Sequence, residues 1–188
     1  MRLALASVAV AVLLLGAAPA GADQDWFLSL SGGQFAGSGE VDELRFRGSY
    51  LIGVGLSKEF EQSPPHVGWE LEGQLVQHVG EQDHLEVALS INARWKTFPW
   101  DATLDTSLAF GSGLSYATEE PKAEARANAR TGSTPLLHYI LAEVAVAVAA
   151  ESPWSVFARV HHRSGIWGLF DGVGRASNSL ALGVRDRF

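Results

Sequence analysis

The chain has no cysteine among its 188 residues, so no disulfide holds it together and its stability must come from backbone pairing and packing. Beyond its N-terminal segment it has no apolar run near the ~18 residues that mark a membrane-spanning helix, which excludes a helical membrane protein. Bases are also few, with 14 Lys and Arg against 21 Asp and Glu. That balance argues against a polyanion-binding role, and no basic aromatic surface for nucleic acid is visible. No Gly-rich phosphate loop is present. His66, His78, His84 and His138 are dispersed and lack the ligand spacing of a metal centre. The expectation is a protein with no cofactor, no metal and no nucleic-acid partner.

Against these absences stand a hydrophobic fraction of 47%, 20 glycines and 6 tryptophans. Met1-Arg2, the apolar run Leu3–Leu15 and the small residues Ala18-Pro19-Ala20-Gly21-Ala22 predict a secretory leader over 1–22, cleaved after Ala22. Its apolar core of roughly 13 residues is too short for a bilayer that needs about 20. Removing the leader takes away Arg2 and no acid, so the formal charge falls from -7 to -8 and residues 23–188 form one domain.

Alternation of apolar and polar residues between turn signals predicts eight strands, Trp26–Phe35, Leu44–Phe60, Val67–His78, His84–Phe98, Ala102–Ala117, Leu136–Ala149, Trp154–Ser164 and Ser177–Phe188. In the fourth, Leu85, Val87, Leu89, Ile91, Ala93 and Trp95 oppose Glu86, Ser90, Asn92, Arg94 and Lys96. The fifth sets Leu104, Leu108, Phe110, Leu114 and Tyr116 against small or polar residues. A soluble sandwich would alternate too. The leader, the even strand count and charges of both signs on the polar parity (Glu70, Glu72, Glu86, Asp105 against Arg94, Arg159, Arg163, Arg185) instead predict an all-β fold, an eight-stranded antiparallel transmembrane β-barrel. Its lumen should be filled by neutralising ion pairs and its apolar faces turned to lipid. Trp26, Phe27, Trp69, Trp95, Phe98, Trp100, Trp154, Trp167 and Phe188, near strand ends, fit interfacial girdles. Thr118–Thr134 has no strand pattern and reads as a long outer loop with a helical turn.

The C-terminal Gly183-Val184-Arg185-Asp186-Arg187-Phe188 resembles the Gly-x-x-aromatic-x-Phe signal of bacterial outer-membrane barrels, with Asp186 in the place of an aromatic. In Trp154–Ser164 one face reads Trp154, Val156, Ala158, Val160, His162, Ser164, so an apolar strand face ends in an imidazole and a hydroxyl. The run His161-His162-Arg163-Ser164-Gly165, followed a strand later by Ser177-Asn178 and Phe188, resembles the lipid A 3-O-deacylase (PagL-like) family of outer-membrane acyl hydrolases. The resemblance rests on this C-terminal quarter, and upstream the strands match in pattern alone. It implies a hydrolase whose substrate is lipid A of lipopolysaccharide among the outer-membrane lipids. His162 and Ser164 match the family's His-x-Ser pair on the penultimate strand, as general base and nucleophile.

Where the family carries a Glu on the last strand, this chain has Asn178, and Gly165 replaces the Asn that follows the serine. A neutral Asn carbonyl can still fix the imidazole tautomer by accepting its other N–H, without the charge of an acid. Asp171 is a competing orienter, and the Gly165 N–H is a candidate oxyanion donor. His161 lies on the opposite parity and reads as a lumen residue. Gly111-Ser112-Gly113 lacks the strand-turn-helix setting of a nucleophile elbow and reads as small residues in a strand. Two other readings stand beside the hydrolase: a non-catalytic structural or adhesive barrel, and a soluble lipocalin-like binder with its apolar faces inward. The bond cut, and whether the chain forms a homodimer, stay open.

Overall fold

The computed structural model describes residues 25–37, 46–64, 66–128, 130–147, 152–174 and 177–188. The leader with its cleavage after Ala22, the start of the second strand at Leu44 and the last two positions of the sixth, 148–149, lie outside these residues. The elements run β1 Trp26–Gly37, β2 Ser49–Gln62, β3 Val67–Gly80, β4 His84–Trp95, β5 Asp105–Ala117, α1 Lys122–Ala127, β6 Leu136–Ala147, β7 Trp154–Ser164 and β8 Ser177–Arg187. Each strand pairs antiparallel with the next, and β8 closes onto β1. Closure leaves no sheet edge to be satisfied in lipid. The shortest strands have 11 residues and the longest 14, enough for a tilted crossing that takes roughly 9–11. β4 stops at Trp95 rather than Phe98 and β5 starts at Asp105 rather than Ala102, because the intervening backbone bonds locally. The Phe98 N–H donates to Asp101 Oδ2 at 2.6 Å and the Thr103 N–H to the Trp100 carbonyl at 2.9 Å.

The polarity is inside out. Leu71, Leu75, Leu89, Ile91, Phe110 and Val156 are exposed on the outer wall, while Glu70, Glu86, Asn92, Arg94, Glu143 and Arg159 are buried in the lumen. The soluble binder with inward apolar faces is thereby excluded, and the chain is an outer-membrane barrel. The charges form a closed set. Glu70 Oε1 takes Arg94 Nε at 2.8 Å and Arg185 Nη2 at 2.7 Å. Glu143 takes Arg94 Nη2 at 2.7 Å and Arg159 Nε at 2.7 Å, and Glu72 takes Arg159 Nη1 at 2.8 Å and Asn92 Nδ2 at 2.8 Å. Three carboxylates thus meet three guanidiniums, so desolvation is offset within the layer.

The ambiguous sixth strand is resolved by the same sorting. Tyr139, Leu141 and Glu143 fill the lumen, and Val144 is exposed outside. The aromatic girdle is partly as expected, with Trp26, Trp95, Trp100 and Trp154 exposed near the end where β1 begins and β8 stops. Phe27 is a correction: its ring lies in the lumen mouth 3.8 Å under the Arg185 guanidinium. At the opposite end Trp167 is exposed as expected, and so are Tyr50 and Tyr116. The three longest intervals between strands, those after β1, β5 and β7, start from that end, the side that outer-membrane barrels turn outward. There α1 folds over the mouth, and the buried Glu124 accepts Arg163 Nη1 at 2.9 Å and the Ser177 hydroxyl at 2.6 Å.

Candidate active site

β7 carries Val156, Ala158 and Val160 up the outer wall and then His162 and Ser164 near the α1 end. Antiparallel register sets His162 opposite Asn178 on β8 and Ser164 opposite His138 on β6. His162 Nδ1 lies 2.6 Å from Asn178 Oδ1. A carbonyl oxygen only accepts, so Nδ1 carries the proton and the lone pair sits on Nε2, the tautomer a general base requires. Asn178 is 2% exposed and held between β7 and β1, where it also registers with Gly37. Asp171 Oδ2 accepts the Thr134 hydroxyl at 2.8 Å, and among the described residues no hydrogen bond joins Asp171 to His162.

Ser164 Oγ accepts the Ile166 N–H at 3.1 Å, and among the described residues no hydrogen bond joins Ser164 to His162. The Ile166 contact uses an oxygen lone pair and leaves the hydroxyl proton uncommitted. It comes from a tight elbow in which Ile166 and Trp167 have φ of 45° and 50°. For a β-branched residue this left-handed backbone is strained, and only surrounding structure keeps it. The elbow also explains Gly165. A Cβ there would sit 2.0 Å from the Val173 carbonyl oxygen, so no side chain, Asn included, fits where the returning loop crosses the backbone.

Two residues beside this pair escaped the sequence reading. Ser112 Oγ and His138 Nε2 lie 2.9 Å apart on the outer wall, and His138 Nδ1 is buried without a hydrogen-bond partner. Both lie on the lipid-facing parity, Ser112 with Phe110 and Leu114 and His138 with Ile140. A polar residue on that parity was the available signal. Other predicted placements agree, since His161 faces the lumen at 2.9 Å from Glu86 and Arg163 is buried against Glu124. His78 and His84, expected to be dispersed, are instead stacked with ring centroids 4.3 Å apart.

Below the polar cluster the wall is concave. Small Gly32, Ala142 and Ala158 form the floor of an apolar groove of about 830 Å³, flanked by Leu108, Phe110 and Leu182. Val160 and Leu180 line its end, each two residues from His162 and Asn178 on the same strand face.

The barrel matches the outer membrane enzyme PagL in fold. The two superpose with a TM-score of 0.62 at 10% identity, over 86% of this chain and 99% of that one. Neisserial surface protein A superposes at 0.52, also at 10% identity, over 89% of this chain and 99% of that one. A designed transmembrane β-barrel superposes at 0.51 with 9% identity, over 88% and 96%. No protein-family model matches the chain, and no curated protein matches its sequence. One of the natural neighbours is an enzyme and another a surface protein, so the shared fold leaves the chemistry to the side chains.

Proposed function

We propose that this barrel is an outer-membrane acyl hydrolase that removes an ester-linked acyl chain, at the 3-O position, from lipid A. The observation that carries the reading is the His162–Asn178 contact on the lipid-facing wall, at the head of an apolar groove and beside a serine with an uncommitted proton. An acyl chain fills the groove and brings its ester to the level of Ser164. For the reaction the Ser164 side chain must turn about its Cα–Cβ bond to bring its proton to His162 Nε2. Oγ then attacks the acyl carbonyl, the bond to the sugar oxygen breaks, and His162 returns the proton to that leaving oxygen. Water, deprotonated by the same nitrogen, hydrolyses the acyl-serine. Asn178 acts through His162 and is a positioning residue. It supplies the tautomer but not a negative charge, which makes for a slower enzyme than one with an acid there.

His138 completes the site. In the tautomer whose Nε2 accepts the Ser112 hydroxyl, His138 Nδ1 holds a proton that has no partner among the described residues, on the residue directly across the ladder from Ser164. A preorganised donor in a dry place suits the oxyanion of the tetrahedral intermediate.

A second reading, a non-catalytic barrel that binds lipid on this wall, is favoured by the absence of a direct Ser164–His162 hydrogen bond among the described residues. The two part in one experiment. Parent and Ser164→Ala are expressed in a host whose lipid A is fully acylated, and the lipid A is compared by mass spectrometry. The hydrolase removes one hydroxyacyl chain in the parent and none in the variant. Identical lipid A in both strains leaves the binding barrel.

A further inference from the structure

We propose that the lumen beneath α1 is a binding site for a divalent transition metal of the zinc type, held by His78, His84 and Glu86. It is separate from the outer-wall site and does not depend on the hydrolase reading. His84 and Glu86 are two apart on the lumen face of β4, and His78 stands directly opposite His84 on β3. This strand geometry presents three donors from two neighbouring strands to one point. Their ligand atoms lie within 4.8 Å of one another, and the three residues are 6%, 5% and 0% exposed.

An independent observation points to a missing ligand. His84 Nε2 is buried with no hydrogen-bond partner among the described residues, although buried polar atoms are rarely left so. A cavity of about 10 Å³ opens beside it, lined also by Gln82, His161 and Glu124, whose carboxylate pairs with the Arg163 guanidinium on the same wall. That is room for about one small occupant. The surroundings already have the form of an outer shell. Glu86 Oε1 accepts His161 Nε2 at 2.9 Å and the Ser115 hydroxyl at 2.6 Å, which fixes the carboxylate and leaves Oε2 toward His78. Two imidazoles and one carboxylate favour zinc, nickel or copper over magnesium or calcium, whose ligands are oxygens. Binding draws the donors together to bond lengths of about 2.0–2.1 Å, by turning the two stacked rings so that both aim at the ion, with His78 Nε2 giving up its proton by tautomer exchange. The fourth position falls to water. The ion would tie β3 and β4 together under the α1 cap.

The test uses the full-length untagged protein in detergent micelles, stripped with chelator and titrated with ZnCl2 by calorimetry, and with CoCl2 by visible absorption. One zinc per chain is expected, with cobalt d–d bands of a four- or five-coordinate nitrogen and oxygen site. His84→Ala should lose at least ~100-fold in affinity, while His66→Ala, at the far end of the barrel, should bind as the parent does. His84→Asn serves if the Ala variant fails the heat-modifiable migration of a folded barrel. Absence of saturable zinc binding by the parent, or equal affinity in a folded His84 variant, overturns the proposal.

Discussion

The middle of the lumen and the upper outer wall are both rich in polar side chains that a membrane barrel has to justify, and they are satisfied in opposite ways. In the lumen Glu70, Glu72 and Glu143 are matched by Arg94, Arg159 and Arg185, and each carboxylate is met by at least two donors. On the wall, among the described residues, His138 Nδ1 has no partner and Ser164 receives an N–H without passing its own proton on. A closed set of ion pairs fixes geometry, whereas a set with capacity left over can act on something else. The middle of the lumen is therefore assigned to stability and the upper outer wall to chemistry.

The sharpest way to break that division is to exchange the consequences. Ser164→Ala should lower lipid A cleavage by ~10³-fold or more while the heat-modifiable band and the urea midpoint stay as in the parent. Loss of folding in this variant would put Ser164 with the structural residues. Conversely, Glu143→Leu removes the carboxylate shared by Arg94 and Arg159, and should cost about 3–5 kcal/mol in urea-induced unfolding, because two buried cations lose a partner. Its folded fraction should cleave as well as the parent. On the wall, His138→Ala should reduce kcat by roughly 10²-fold with little change in KM, as expected for a donor used in the transition state. Asn178→Ala should cost ~10–100-fold in kcat, and Asn178→Asp should raise kcat above the parent by supplying the charge that the amide lacks. The smallest effect is expected from Ala158→Phe, which fills the groove floor. Cleavage of long-chain substrates should fall by about 10-fold, with a short-chain ester hydrolysed at the parental rate.

Most of the barrel was legible because a strand writes its two faces into alternate residues. The Leu85–Trp95 parity against Glu86–Arg94 carried the inside-out polarity without any knowledge of strand partners. The same rule placed His162 and Ser164 outside and His161 and Arg163 inside, as they stand in the structure. What alternation cannot carry is register. The contact of Ser112 with His138 and the stacking of His78 on His84 come from pairings across strands, which no single window contains. Phe27 was misplaced for a related reason: at a strand end, parity matters more than proximity to the interface. Gly165 could be seen to depart from the resemblance, but the cause, a carbonyl of the returning loop, required the fold of 166–173.

The most direct measurement is covalent labelling of the detergent-solubilised protein with a long-chain fluorophosphonate, followed by peptide mass spectrometry. A single adduct is expected on the peptide that contains Ser164, abolished in His162→Ala and weakened in Asn178→Ala. An unlabelled parent, or an adduct on Ser112 in place of Ser164, would contradict the assignment of the reactive serine.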